Sequence, residues 1–502
     1  MGATAPTSGG DARAPRLAAP FRDVSWLCVL ALLARAVVVF WAARRFPPAD
    51  DGSFYHVVAQ RIAGGFGYTW LWPDGAVTYA AHYPVGYPAL LGAAYAVFGA
   101  SPSVAMVVNA VVGVLAVFAG QRSVLRVGTR RQAAIAGLLL AIHPGLVFYT
   151  PALMTEGVTA ELLVVAVWLA LRVGSGRGFY WRLTALGLCL GVLTLIRPQL
   201  VATAPVFGFF SCAPGATAAL GTRALRALSV TAVALALVLP WTLRNCARMD
   251  RCVFVSANGG WNLLIGSAPE ANGSWIPIEG PTVPPECRHV FGEAEKDRCF
   301  GAAGWLNIRR RLGGFLALVP RKLSVTFDYF GAPGHYLHTS NGRAFDEPRK
   351  VCLGVLETVF ERLVLLAGIV QAARVGVTRR RSRLAVALPA ALFSVLRAAW
   401  LGYLGFALVV ALSGKELLKR PSGAIAALAA SVVLGTAATH ALFFGAGRYG
   451  FVCAALLCLA AVGSRSGRGC RSAIDQKRMT LLTLEPRSSD TALKEFPQDA
   501  AD

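Results

Sequence analysis

Long apolar runs alternate with short basic turns along most of the chain. The runs are Ser25 to Ala43, Val104 to Leu125, Ala133 to Tyr149, Thr155 to Leu171, Leu183 to Ile196, Val201 to Phe210 and Leu228 to Leu239. After a mixed stretch come Leu356 to Ala373, residues 384–413, Ala424 to Phe444 and Phe451 to Val462. About 20 apolar residues cross hydrocarbon as a helix, and a helix bonds its own backbone groups there. The pattern therefore predicts an all-α polytopic membrane protein with about 12 transmembrane helices when 384–413 divides in two, within a range of about 11 to 13. The strand alternation of an outer-membrane barrel is missing. Proline marks the predicted breaks, at Pro144 and Pro151, at Arg197-Pro198 and at Pro240-Trp241, where the helix from Leu228 is expected to stop.

Two stretches depart from this rhythm. Residues 44–101 hold Phe54 to Ile62 and Ala89 to Phe98, which are too short to span and read as helices at the membrane surface. Residues 244–350 mix Gly, Pro, Trp and both charge signs, and Gly313 to Phe330 within them reads as lying along the membrane. The predicted organisation is a disordered cytoplasmic tail (1–23), a transmembrane catalytic module (24–243) with outer loop 44–101, a large extracytoplasmic segment (244–350), C-terminal transmembrane helices (351–463) and a cytoplasmic tail (464–502).

Composition agrees. The chain is 55% hydrophobic, above the usual share of a soluble protein. Its net charge of +23 does not point to nucleic acid, because the arginines sit in short turns between apolar runs. Arg126, Arg130 and Arg131 form one such turn, and Arg379, Arg380, Arg381 and Arg383 another. They read as positive-inside signals and contacts to anionic headgroups. With Arg13, Arg16 and Arg22 before the first run, they put both chain ends in the cytoplasm and residues 44–101 and 244–350 outside. Ser25 to Ala43 then serves as an uncleaved anchor. Cys28, Cys189, Cys212, Cys453 and Cys458 fall in apolar runs as packing residues. Cys246, Cys252, Cys287 and Cys299 lie in or beside the outer segment, where one or two disulfides are open to them. Their spacing fits no zinc pattern.

The candidate chemistry gathers near helix ends. Asp50 and Asp51 follow the first run. They are either solvated acids capping the helix near Ser53 or a general base or metal ligand. Glu156 offers the same choice at the mouth of the run from Thr155, whereas Glu161 lies deeper and reads as buried structure. Arg197 stands at a helix break, where a planar guanidinium suits a phosphate or snorkels to the interface. Arg244 and Arg448 sit at similar breaks. His82, Tyr87, Asn258, Asn262 and Tyr449 are the polar and aromatic groups nearest these elements in the chain. Walker, Rossmann, HExxH and nucleophile-elbow motifs are absent from the sequence.

Several motifs together resemble one family. Asp51-Gly-Ser-Phe-Tyr55 is followed by Gly65-Phe-Gly67-Tyr68 and His82-Tyr-Pro84-Val-Gly-Tyr87-Pro88. Met154-Thr-Glu156, Arg197-Pro198, Pro240-Trp-Thr-Leu-Arg244-Asn245 and Gly445-Ala-Gly-Arg448-Tyr449 come later. The set is similar to bacterial members of glycosyltransferase family 39, in the GT-C superfamily with protein O-mannosyltransferases and lipid A aminoarabinose transferases. Gly52 departs from the pattern, standing where the family carries the second acid of an Asp-Glu pair. The resemblance implies a GT-C fold at the inner (plasma) membrane, with its active site on the extracytoplasmic face. It implies sugar transfer from a polyprenyl-phosphate donor to an extracytoplasmic acceptor, with inversion, the acceptor being protein, lipid A, polymer or glycolipid. Asp51, with Glu156 and Asp50 as further acids, would be catalytic. Arg197, Arg244 and Arg448 would hold the donor phosphate. His82, Tyr87, Asn258, Asn262 and Tyr449 would line the substrate site, and a divalent cation shared by Asp51 and Glu156 is the one cofactor it leaves room for. The rival readings are a transporter or lipid flippase, and an inactive polyprenyl-lipid-binding member of the family. Transporters tend to show internal repeats and midplane acids. No repeat is visible here, and the polar residues are expected to gather at one face.

Overall fold

The structure is a computed structural model describing residues 25–174, 178–211, 218–375, 379–419 and 421–462. The predicted tails, 1–23 and 464–502, lie outside the described residues, as do Cys212 and Arg177. Helix α1 (Ser25–Ala42) leads into a loop with α2 (Asp51–Ala63), strands β1 (Thr69–Leu71) and β2 (Val77–Tyr79), and α3 (Gly86–Phe98). Then come α4 (Pro102–Val127), α5 (Arg130–Ile142), α6 (Pro144–Phe148), α7 (Thr155–Ala170) and α8 (Phe179–Ile196). A 3₁₀ turn (Pro198–Thr203) enters α9 (Ala204–Phe210), and α10 runs from Leu220 to Arg248. The mixed segment folds as α11 (Gly259–Ser267), α12 (Glu293–Arg310), α13 (Leu312–Phe327) and α14 (Ala332–Ser340). The last part comprises α15 (Glu347–Arg374), α16 (Arg380–Val395), α17 (Ala399–Leu412), α18 (Lys415–Lys419), α19 (Pro421–Leu442), α20 (Gly447–Gly450), a 3₁₀ turn (Phe451–Cys453) and α21 (Ala454–Ala461).

The chain is thus mostly helical, as its periodicity predicts. Ser101 accepts the Val104 amide and Pro102 follows it, so α4 starts on a side-chain cap and a preset φ. Thr129 and Gln132 close a capping box on α5. Helix α7 is buried along nearly its whole length, packed against α4, α8 and α21. Helix α10 instead leaves Leu225, Leu228, Leu235, Leu239 and Leu243 exposed, an apolar face suited to lipid. Helices α4, α8, α10 and Gly423–Leu442 of α19 are each long and apolar enough to cross a membrane. The other predicted crossings are shorter or segmented, except Leu356 to Ala373, which lies in the unbroken α15 and carries Glu357, Glu361 and Arg362. Residues 384–413 divide into α16 and α17. The run 133–149 breaks at His143, between α5 and α6.

At one end of the bundle, basic turns cap helix carbonyls. Arg126 bonds Leu171 O, Arg223 bonds Phe209 O and Leu418 O, and Arg226 bonds Ser211 O. The loop of α2 and α3 and the segment from α11 to α14 meet at the other end, where Ala257 N donates to Ala81 O at 2.7 Å and Ser340 Oγ to Pro47 O.

Three features differ from the sequence reading. Helix α10 does not stop at Pro240-Trp241 but continues to Arg248. An interior proline costs about 3 kcal/mol. Tertiary bonds offset it: Trp241 Nε1 and Asn245 Nδ2 both donate to Val255 O, and Cys246–Cys252 closes the following turn. The β1–β2 hairpin was not expected, because its strands are three residues each. Its turn has a local signal in Asp74-Gly75, with Gly75 at φ 87°. Finally, charge is not confined to one face. Arg35 and Glu161 pair at 2.9 Å inside the bundle, and His143, Glu357 and Glu361 are buried there too.

A second disulfide joins Cys287 and Cys299. Alkylation of the unreduced protein should therefore leave Cys246, Cys252, Cys287 and Cys299 unmodified. Recovery of alkylated peptides from either pair would contradict the pairing.

Candidate functional site

Asp51 opens α2 where the chain leaves α1. Its backbone is set by Asp50, which sits at φ 50° and leaves the cap side-chain bond unmade. Left-handed φ is uncommon for any residue with a side chain, so Asp50 stores strain in the turn. Its carboxylate points to His335, 3.8 Å away. Asp51 points the other way. One oxygen accepts the Tyr83 hydroxyl at 2.7 Å, and the other meets Arg448 Nη1 at 2.7 Å.

Arg448 is the hub. Its Nη1 also donates to the Tyr336 hydroxyl at 3.1 Å and its Nη2 to the Tyr449 hydroxyl at 2.9 Å. Its Nε lies 3.9 Å from Glu156, itself bonded by Arg197 Nη2 at 2.5 Å. Arg197 further donates to Thr155 at 3.1 Å. Two acids and two arginines are thereby joined in one chain, Asp51–Arg448–Glu156–Arg197. Tyr449 packs under both guanidiniums, at 4.8 and 5.6 Å from its ring, and stacks on His440 at 4.2 Å. From Arg197 and Tyr449 a pocket opens between the 3₁₀ turn after α8 and α19, lined by Leu200, Thr203, Val432, Thr436 and Val452.

Secondary structure explains how these side chains converge. Glu156 sits in the first turn of α7, where the helix dipole favours an anion. Arg197 ends α8 in extended backbone before Pro198. The close approach of α3 holds that end in place: a Cβ on Gly86 would stand 2.6 Å from Ile196 N. Gly86→Ala should thus cost about 1–3 kcal/mol by overpacking. Thermal unfolding in detergent checks this, and an unchanged midpoint would show that α3 and α8 have slack.

The electrostatics follow from burial and pairing. Burial alone would raise the Asp51 carboxyl, but the Arg448 charge and the bonds from Tyr83 and Arg448 outweigh it, so its pKa falls below the ordinary 3.8. The sign is that of a depressed acid: the pair's stabilisation is present above the unfolded value and lost as pH falls through the lower folded one. Asp51→Asn should remove that part of the acid-unfolding profile, and an identical profile in the variant would refute it. Burial pulls the His82 imidazole below its usual range, opposed in part by nearby Asp51. Burial pushes the Tyr83 hydroxyl up, with Asp51 adding to it, so Tyr83 remains a donor.

Of the sequence candidates, the structure brings together Asp51, Glu156, Arg197, Arg448 and Tyr449. His82 borders them, with its ring edge-on to Tyr83 at 4.8 Å and to Trp261 at 5.4 Å. Arg244 is placed differently: it bonds Ala80 O at 2.8 Å and Tyr68 O at 2.7 Å, holding the loop before His82. Tyr87 is fully buried and donates to Asn109 at 3.1 Å. Asn258 precedes α11 and accepts the Ser256 hydroxyl at 3.1 Å without capping the helix, and Asn262 lies in that helix's first turn. Sequence reasoning missed Tyr83, Tyr336 and Thr155. Tyr83 and Thr155 adjoin named candidates and could have been found by adjacency, whereas nothing in the α14 sequence marks Tyr336. It also missed Glu293, whose carboxylate accepts the Ala81 and His82 amides at 2.5 and 2.9 Å.

The donor set does not suit a shared divalent cation. Asp51 and Glu156 each face an arginine, and among the described residues no group of three or more His, Cys, Asp or Glu could hold an ion.

No protein-family model and no curated protein matches the chain. Solved structures similar to it include the oligosaccharyltransferase AglB of Archaeoglobus fulgidus in complex with an inhibitory peptide and a dolichol-phosphate, at 15% identity and a TM-score of 0.44. That likeness covers 94% of this chain and 53% of AglB, so the chain spans about half the length of that enzyme. ArnT from Cupriavidus metallidurans bound to undecaprenyl phosphate is similar at 17% identity and a TM-score of 0.37, over 92% of this chain and 82% of ArnT.

Proposed function

We propose that the chain is an integral-membrane glycosyltransferase of the GT-C type, using a polyprenyl-phosphate-linked sugar and an acceptor presented outside the cytoplasm. The observation that carries this reading is the Asp51–Arg448–Glu156–Arg197 chain beside a pocket at the bundle's flank. Sugar transfer from a lipid phosphate needs preorganised cations where the departing phosphate gains charge, and an acceptor hydroxyl or amine needs a carboxylate to orient or deprotonate it. Both stand here within one chain of ion pairs. Leu200, Val432 and Val452 give the pocket an apolar wall beside Arg197, where the first part of a lipid-linked substrate would enter. Two disulfides in residues 244–350 fit an oxidising compartment, and the capping arginines at the opposite end fit a cytoplasmic face.

In this reading the two substrates are coupled through Arg448. With Arg448 bound, Asp51 is ionised but weakly basic. A donor phosphate competes for the guanidinium and leaves the carboxylate less neutralised, which raises its basicity as the acceptor arrives. Tyr83 stays to orient it. The acceptor nucleophile then displaces the lipid phosphate at the anomeric carbon, with inversion, while Arg197 and Arg448 hold the departing phosphate. Asp50 serves the turn instead. Asp50→Gly should relieve its left-handed backbone and keep transfer activity, and loss of activity in a folded Asp50→Gly protein would move the catalytic role to Asp50.

A transporter is the second reading, and the buried Glu161, Glu357 and Glu361 favour it, since intramembrane acids mark ion paths. Assay of sugar transfer in reconstituted vesicles separates the two. Release of polyprenyl phosphate with a glycosylated product supports the transferase, and substrate movement without product supports the transporter.

A further inference from the structure

Away from the Asp51–Arg448 network, α15 carries Glu357 and Glu361 one turn apart, both fully buried. Glu361 Oε1 lies 3.0 Å from His143 Nε2 at the α5–α6 break. Among the described residues neither oxygen of Glu357 has a hydrogen-bond partner, nor has Glu361 Oε2. Glu357 is aimed at the same break, because a Cβ on Gly145 would stand 2.5 Å from its Oε1. The titratable groups facing the pair from neighbouring elements are Tyr149, Tyr329, Tyr403, Cys453 and Cys458, none of them a cation. The next guanidinium along α15, Arg362, bonds the carbonyls of Asp328, Val395 and Leu396 instead. Two carboxylates therefore crowd one imidazole, whose Nε2 bonds Glu361 alone and whose Nδ1 accepts the Leu146 amide. Fully ionised, the cluster would hold an uncompensated negative charge away from water, which is strongly unfavourable, and neighbouring buried carboxylates resist ionising together.

We propose that Glu357, Glu361 and His143 form a buried proton-binding site, occupied by one proton carried on the Glu357 carboxyl. The proton removes one of the cluster's two negative charges, leaving Glu361 with its bond to His143, and gives Glu357 a donor in place of two unpartnered acceptors. A metal ion suits the cluster less, since among the described residues no group of three or more His, Cys, Asp or Glu could hold one. The site adjoins the candidate active site: Tyr149, which faces Glu357, lies 6.4 Å ring to ring from Tyr336, a partner of Arg448. This inference stands independently of the transferase reading.

Infrared spectroscopy of the full chain in lipid nanodiscs tests it. The wild type should show the C=O stretch of a protonated carboxylic acid at neutral pH, unchanged between sodium chloride and choline chloride. Glu357→Gln, an isosteric copy of the neutral acid, should fold and lose that band. Because the folded chain then binds one proton fewer, its stability should fall less steeply with rising pH than the wild type's. A wild type without the band, a band retained in Glu357→Gln, or a band abolished by sodium would each overturn the proposal. Should Glu357→Gln fail to fold, Glu361→Gln decides instead: the band should persist there, because the proton sits on Glu357, and its loss would overturn the proposal.

Discussion

Asp51→Asn is expected to lower sugar transfer by about 10²–10⁴-fold, the usual contribution of a positioned acid–base group, while the protein still folds. Asparagine keeps the shape of the side chain, and its oxygen can still accept the Tyr83 hydroxyl, which donates to Asp51 at 2.7 Å. What disappears is the negative charge opposite Arg448 and the ability to accept a proton. The measurement is transfer from a polyprenyl-phosphate-linked sugar by membranes holding matched amounts of each protein. Size-exclusion elution in detergent controls for folding. Full activity in Asp51→Asn would remove the carboxylate from the mechanism and leave the arginines as a binding site alone.

Arg197→Ala is expected to act first on stability. Glu156 is 1% exposed and its Oε2 has no partner, so Arg197 neutralises a carboxylate that has almost no water to turn to. Arg448, whose Nε is 3.9 Å away and whose Nη1 is engaged with Asp51, replaces it poorly. Breaking a buried pair by deleting one partner costs about 3–5 kcal/mol, whereas replacing both with apolar groups costs far less. Arg197→Ala should therefore lower the unfolding midpoint markedly, and Arg197→Met with Glu156→Leu should recover most of it. A midpoint unmoved by Arg197→Ala would show that Glu156 carries no charge to neutralise.

Much of this was legible in the sequence. Apolar runs located the helices, because crossing hydrocarbon demands a length and a composition that few other elements have. Asp51, Glu156, Arg197 and Arg448 stood out for the complementary reason: each is a charge placed where an apolar run begins or breaks. Their pairing was not legible. Arg448 and Asp51 are 397 positions apart and meet only when the bundle closes, so Arg448, read as a phosphate ligand, is first the partner of the acid. Arg244 shows the same limit. Its motif is prominent, yet the side chain bonds backbone carbonyls of the loop before His82, a contact that no local spacing encodes. Pro240 was read by its local preference, and tertiary bonds through Trp241 and Asn245 overrode it. The buried acids were underweighted because a carboxyl within an apolar run looks isolated until its neighbours are known.

The account turns on whether polyprenyl phosphate leaves at this site. The most direct measurement is mass spectrometry of purified protein in nanodiscs, incubated with polyprenyl-phosphate-linked sugar and an extract of envelope acceptors. The wild type should release polyprenyl phosphate in step with a glycosylated acceptor, and Asp51→Asn should release neither. Equal release by the wild type and Asp51→Asn, or no release by a folded wild type that nevertheless binds the donor, would contradict it.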